Sequence, residues 1–204
     1  MHQFKRGEAP VDFKIIKRKY ANWDAFIGSS EHIVIGDQLY EQQDHYCAYC
    51  EIYLHDKEDG FIEHLERQRD NSRRIFDWSN MFVSCRKHDS CGEFKDNQAG
   101  KFKLADIIDP SRENPEDFFQ YDSQGNILPR KNLTDAQRKR AEETIRIFNL
   151  NCPRLKSIRL KAVEAVSFFL QNSIAPNQKQ IKDYLEMLPN GIDCISVYHV
   201  LLKM

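Results

Sequence analysis

The stretch "HYCAYCE", residues 45–51, sets Cys47 and Cys50 two residues apart among aromatic neighbours. Half of a metal site, a redox dithiol and chance all explain that spacing. A second pair answers the first. In "SCRKHDSCGEFK" Cys85 and Cys91 stand with five residues between them, wider than the usual knuckle. Four thiolates in two pairs suit tetrahedral Zn²⁺, which prefers soft sulfur and keeps no position open when its role is structural. A thioredoxin-like dithiol would leave the second pair unexplained, and the flanking chain lacks a clear βαβ pattern. Cys152 and Cys194 lie far away and read as ordinary buried thiols.

The bulk of the chain narrows the setting. Its 204 residues are 41% apolar and 11% aromatic, enough for a real core. No apolar run approaches the ~20 residues of a membrane span. The opening "MHQFKRGEAP" lacks the hydrophobic stretch of a secretory signal, so a cytoplasmic protein is expected. In a reducing compartment clustered cysteines more often bind metal than form disulfides. A net charge of −1 excludes a uniformly basic DNA-coating protein. Residues 130–161 nevertheless hold ten Lys or Arg against Asp135, Glu142 and Glu143. That local excess is either a solvated helix face or a phosphate-facing surface.

Periodicity organises the remainder. Phe13, Ile16, Tyr20 and Trp23 have helical spacing, and "IVIGDQLYEQQDHY" predicts a second helix running into Cys47. From 51 to 95 the pattern is short and irregular, as a metal-held segment would be. "PEDFFQYDSQGNILPR" predicts two short strands about Ser123-Gln124-Gly125-Asn126. Thr134 with Gln137 predicts a capping box opening one helix, and Pro153 opens the next. Ala162, Val163, Val166 and Leu170 would be the buried stripe of that helix. Pro176 and Pro189-Asn190-Gly191 punctuate two further short helical segments, making a C-terminal helical bundle. The expected division is an N-terminal helical segment (1–44), a metal-bound core with a following hairpin (45–129) and a C-terminal helical region (130–204).

Between the cysteine pairs lie "GFIEHLERQRD", with Glu63 beside His64, and "FDWSNMFVSC", with Asn80. Lys95 follows Cys91. An acid next to a histidine says little alone; interleaved with four candidate ligands it says more. Together with "KRGEAP", "QLYEQQDHYCAYCE", "DIIDPSRENPEDFFQYDSQGNILP" and "AEETIRIFNLNCPRLKSIR", this frame resembles the HNH (ββα-metal) endonucleases with an accessory zinc knuckle. The likeness is to the branch formed by HNH subunits of Septu-type and retron-associated antiphage systems, and covers residues 4–160. It implies an α+β fold: a ββα-metal HNH core with an accessory four-cysteine zinc knuckle in a mostly helical chain.

The resemblance also implies roles. His64 would be the general base, since a neutral imidazole takes a proton near working pH. Glu63 would ligate a catalytic Mg²⁺ or Mn²⁺, hard ions that favour carboxylate oxygen. Asn80 would orient His64 or brace its loop, and Lys95 would contact phosphate. Many HNH nucleases carry a metal-binding histidine directly after the final cysteine; here that position is Gly92. His88 is the favoured replacement, with Glu93 and Asp96 as alternatives. The bland readings are a surface acid for Glu63, a turn former for Asn80, a solvated charge for Lys95 and a structural histidine for His64. Three functions remain open. The chain is an endonuclease cutting DNA, a zinc-stabilised nucleic-acid-binding module without cutting, or a structural subunit. The third would dock on an ABC-type ATPase, or join a retron reverse transcriptase and its RNA-DNA hybrid.

Overall fold

The computed structural model describes Met1, residues 3–173 and Gln180. Pro176, Pro189-Asn190-Gly191 and Cys194 lie outside the described residues, as does the side chain of Val166. The architecture is α+β. Where one periodic helix was expected at the start, the chain forms two, α1 (Phe13–Lys19) and α2 (Trp23–Phe26). The break comes at Asn22, whose side chain accepts from Ala25 N and starts a new helix. Ser29 likewise opens α3 (Ser30–Gln42), which buries Ile35, Leu39 and Tyr40.

The irregular middle contains more order than its pattern predicts. Strand β1 (Gly60–His64) pairs antiparallel with β2 (Met81–Cys85), from Gly60 opposite Cys85 to His64 opposite Met81. Helix α4 (Cys91–Asn97) follows at once. All of β2 is buried, and its outer edge is satisfied by a side chain. Gln43 at the end of α3 accepts from Val83 N (2.8 Å) and donates to Val83 O (2.9 Å), standing in for a third strand. Short strands also hid β1, where Gly60, Glu63 and His64 interrupt any apolar alternation.

The later elements match their signals. β3 (Phe119–Tyr121) and β4 (Ile127–Pro129) form the expected hairpin. Its turn needs glycine: Gly125 has φ 75°, and a Cβ there would lie 2.4 Å from Lys156 O. Thr134 and Gln137 cap α5 (Asp135–Ile147) reciprocally, and Pro153 opens α6 (Pro153–Asn172). The α6 stripe is shorter than expected. Ala162 is buried and Val163 half-buried, but Leu170 is exposed because no described element covers that end. One cluster of buried apolar residues runs from Met1 to Leu155, so the segments expected at 1–44, 45–129 and the start of 130–204 share a core. Among the described residues no helix is long and apolar enough to cross a membrane.

Candidate active site and metal centre

The two cysteine pairs converge. Cys47 and Cys50 sit in a turn closed by Glu51 N donating to Cys47 O (3.1 Å), with Glu51 at φ 62°. Cys85 ends β2 and Cys91 begins α4. The ligand atoms of all four lie within 4.8 Å of one another, every one buried, and could hold a metal ion. Cys50 and Cys85 sulfurs are 3.8 Å apart, and Cys85 N donates to Cys47 Sγ at 3.3 Å, a contact that suits a thiolate. The wide loop between Cys85 and Cys91 has its own anchor. Asp89 takes Arg154 of α6 in a bidentate pair (2.9 Å and 3.0 Å), and its carbonyl accepts from Asn149. Those extra residues reach the α5–α6 turn, which explains the unusual spacing. Cys152 is buried as expected, beside the same Asp89.

Glu63 and His64 are neighbours in sequence but not in space. Successive strand residues face opposite sides of a sheet. Glu63 points at α4, where Lys95 Nζ meets it at 2.6 Å with both side chains fully buried, and the Tyr49 hydroxyl donates to its other oxygen. Burial pushes the Glu63 carboxyl up to about 7 against the pull of Lys95. His64 points the other way, edge-on to Trp23 with ring centroids 4.4 Å apart. Its Nε2 lies 2.9 Å from Ile75 O and its Nδ1 lies 3.2 Å from the Gln68 amide nitrogen. A carbonyl can only accept, so Nε2 carries the proton and Nδ1 keeps its lone pair, capped by Gln68. Burial lowers the ring's pKa to about 4, so it is neutral at neutral pH.

Asn80 braces the loop that follows β1. Its Oδ1 accepts from Glu66 N (2.8 Å), and its Nδ2 donates to Glu66 O (2.9 Å) and Arg74 O (3.3 Å). Lys95 is not a solvated charge. Besides Glu63 it reaches His64 O and Asp96 Oδ1, each at 2.6 Å, so the expected phosphate contact is replaced by a buried clamp on the end of β1. His88 stands apart. Its side chain is 90% exposed and pairs with Glu93 at 3.6 Å, whereas Glu63 is enclosed. With one ring in solvent on Glu93 and the other carboxylate enclosed by Lys95, Glu63 and His88 are not brought together.

Gly92 has a physical reason. α4 lies so close to the hairpin that a Cβ at Gly92 would sit 2.5 Å from Glu63 Cγ and 3.0 Å from Ser84 Oγ. No histidine fits there without moving Glu63. Gly92→Ala is expected to cost about 1–3 kcal/mol by overpacking, read as a lowered urea midpoint. Unchanged stability would mean that Glu63 is not held as described. Sequence reasoning passed over Tyr49, Gln68 and Trp23, although Tyr49 lies inside the "CAYC" turn itself.

No family model matches the chain. It is 26% identical over 191 residues to an Escherichia coli protein named "Retron Ec83 putative HNH endonuclease", a match that spans 74% of this chain and 73% of the relative.

Proposed function

We propose that the chain is an HNH endonuclease that hydrolyses DNA phosphodiesters as the effector subunit of an antiphage complex. The carrying observation is His64: proton on Nε2 fixed by Ile75 O, lone pair on Nδ1, loop braced by Asn80. In this reading water replaces the Gln68 amide at Nδ1. The Nδ1 atom takes the water proton as its oxygen bonds to phosphorus and the opposite P–O bond breaks. Lys95 holds the His64 carbonyl, and so the strand end, in place.

The four sulfurs fit Zn²⁺. Its tetrahedron with Zn–S about 2.3 Å has edges near ~3.8 Å, which the Cys50–Cys85 separation of 3.8 Å matches. A divalent ion such as Mg²⁺ or Mn²⁺ would stabilise charge on the leaving oxygen. Glu63 and His88, the ligands expected for it, do not fit together here, and no step is written through them. The retron in the relative's name supports a retron setting; in this reading the partners are an ABC-type ATPase or a reverse transcriptase with its RNA-DNA hybrid.

Plasmid cleavage with added Mg²⁺ or Mn²⁺ tests the reading. His64→Ala is expected to lower the rate about 10²–10⁴-fold, and equal cutting by both proteins removes His64 from the mechanism. The second reading, binding without cutting, is favoured by the clasped Glu63 and by a His64 only 4% exposed. It predicts salt-dependent DNA binding that survives loss of both residues, with no cleavage under any metal.

A further inference from the structure

The positive run at 130–161 reads in sequence as a solvated helix face or a phosphate-facing surface, and the fold pairs three of its arginines with acids. Arg140 is paired with Glu113 (2.6 Å), Arg146 with Glu143 (2.7 Å) and Arg154 with Asp89 (2.9 Å). Arg159 is buried, donating to Leu150 O and Gly125 O. Arg130 and Arg138 each donate to a backbone carbonyl. Of the run's ten cations, Arg140 and Arg154 are neutralised by acids from outside it and Arg159 is buried, which leaves Lys131, Lys139 and Lys161 as exposed charges.

A second set of solvent-facing cations lies closer to His64 along the chain. Lys14, Lys17 and Arg18 are exposed on α1, and Arg69 and Arg73 are exposed on the loop after β1. None of the five has a carboxylate partner among the described ion pairs, whereas their neighbours Lys19, Arg67 and Arg74 do. Arg69 has only a backbone acceptor, Asp96 O. Both segments are tied to the same histidine. The α1 segment is anchored at one end by Phe13 against Trp78 (6.2 Å), beside Asn80, and at the other by Trp23 against His64 (4.4 Å). The loop is anchored by Gln68 at His64 Nδ1 and Ile75 O at Nε2. Lys17 and Arg18 fall between the first two anchors, and Arg69 and Arg73 between the second two. The cations therefore belong to two independent stretches of chain, each anchored against His64 or its bracing loop.

We infer that α1 and the loop after β1 form the nucleic-acid interface, with Lys14, Lys17, Arg18, Arg69 and Arg73 gripping the phosphates of a duplex on either side of His64. The inference deepens the nuclease reading and rests on it for the meaning of His64, but its test does not require cutting. Phosphate contacts made by solvated cations hold the backbone and read no base sequence. Each one lost lowers the salt slope of binding by about 0.9 for duplex DNA.

The experiment follows fluorescence anisotropy of a labelled DNA duplex across a salt series, without added divalent ions. Full-length wild type is compared with a variant carrying Lys14→Gln, Lys17→Gln, Arg18→Gln, Arg69→Gln and Arg73→Gln. A control carries Lys131→Gln, Lys139→Gln and Lys161→Gln, all exposed positions of the other run. The five-site variant is expected to bind at least about 10–100-fold more weakly near 0.1 M salt, with a slope shallower by about four to five. The control is expected to keep the wild-type slope. Thermal melting of all three checks that only surface charge has changed. A control that weakens as much, a five-site variant with the wild-type slope, or a wild type that does not bind duplex DNA overturns the inference. Cutting with unchanged slopes would leave the nuclease standing without this interface. A changed slope with no cutting would do the reverse.

Discussion

Cys85→Ser is expected to leave a chain that neither holds zinc nor keeps its central fold. Cys85 closes β2 and Cys91 opens α4, while Cys47 and Cys50 belong to the turn that carries Tyr49. An ion on these sulfurs would join strand, helix and turn at one point. Structural zinc contributes roughly 10–16 kcal/mol of apparent binding free energy in small domains. A whole domain is stable by only about 5–15 kcal/mol. Losing one ligand therefore threatens the entire fold, because three buried thiolates are left with no cation to compensate them. Elemental analysis should find zinc in the purified wild type, and its four clustered thiols should resist alkylation until a chelator is added. Cys85→Ser should bind no zinc and lose its cooperative melting transition. A metal-free wild type that melts cooperatively with all four thiols alkylated would remove the ion from the fold.

The cysteine cluster was legible because its chemistry is restrictive: few roles need four buried sulfurs, and spacing alone pairs them. The capping box at Thr134 and the turn at Gly125 were legible for a similar reason, since each depends on local geometry. What sequence could not show was direction. "EH" reads as an acid and a base sharing one task, yet the pleat of β1 sends Glu63 towards α4 and His64 towards Trp23. Counting charges at 130–161 gave a strong excess, but the count cannot see that Arg140 and Arg154 each have an acid from outside the run within reach. Gly92 read as a missing histidine. In space it is a site with no room for a side chain, and the missing atom is what lets Glu63 lie against the helix. His88 was favoured by nearness in sequence to Cys91, but its loop is drawn towards α6 by Asp89 and leaves the ring in solvent.

The Glu63–Lys95 pair carries the other large effect. Lys95→Met is expected to destabilise the protein by about 3–5 kcal/mol at about pH 8, where Glu63 must stay buried as an unpaired carboxylate or take up a proton that the unfolded chain does not hold. Glu63→Leu combined with Lys95→Met should recover most of that loss, since an apolar pair of similar volume removes both desolvation costs. The two sites touch, so a double-mutant cycle should be strongly non-additive. The sign of the pH effect follows from the carboxyl. Its folded pKa, already raised to about 7 with Lys95 present, lies above the usual value of 4.5, so its protonated form is the one the fold prefers. Stability linked to such a group is fully present below the unfolded pKa and falls as pH rises through the folded one. Without Lys95 that folded value moves higher still, so urea midpoints of Lys95→Met should sit nearest wild type at about pH 5 and furthest from it at about pH 8. A penalty that is flat across that range, or a double variant no better than the single, would mean that Lys95 serves the fold through its grip on His64 O rather than by neutralising Glu63.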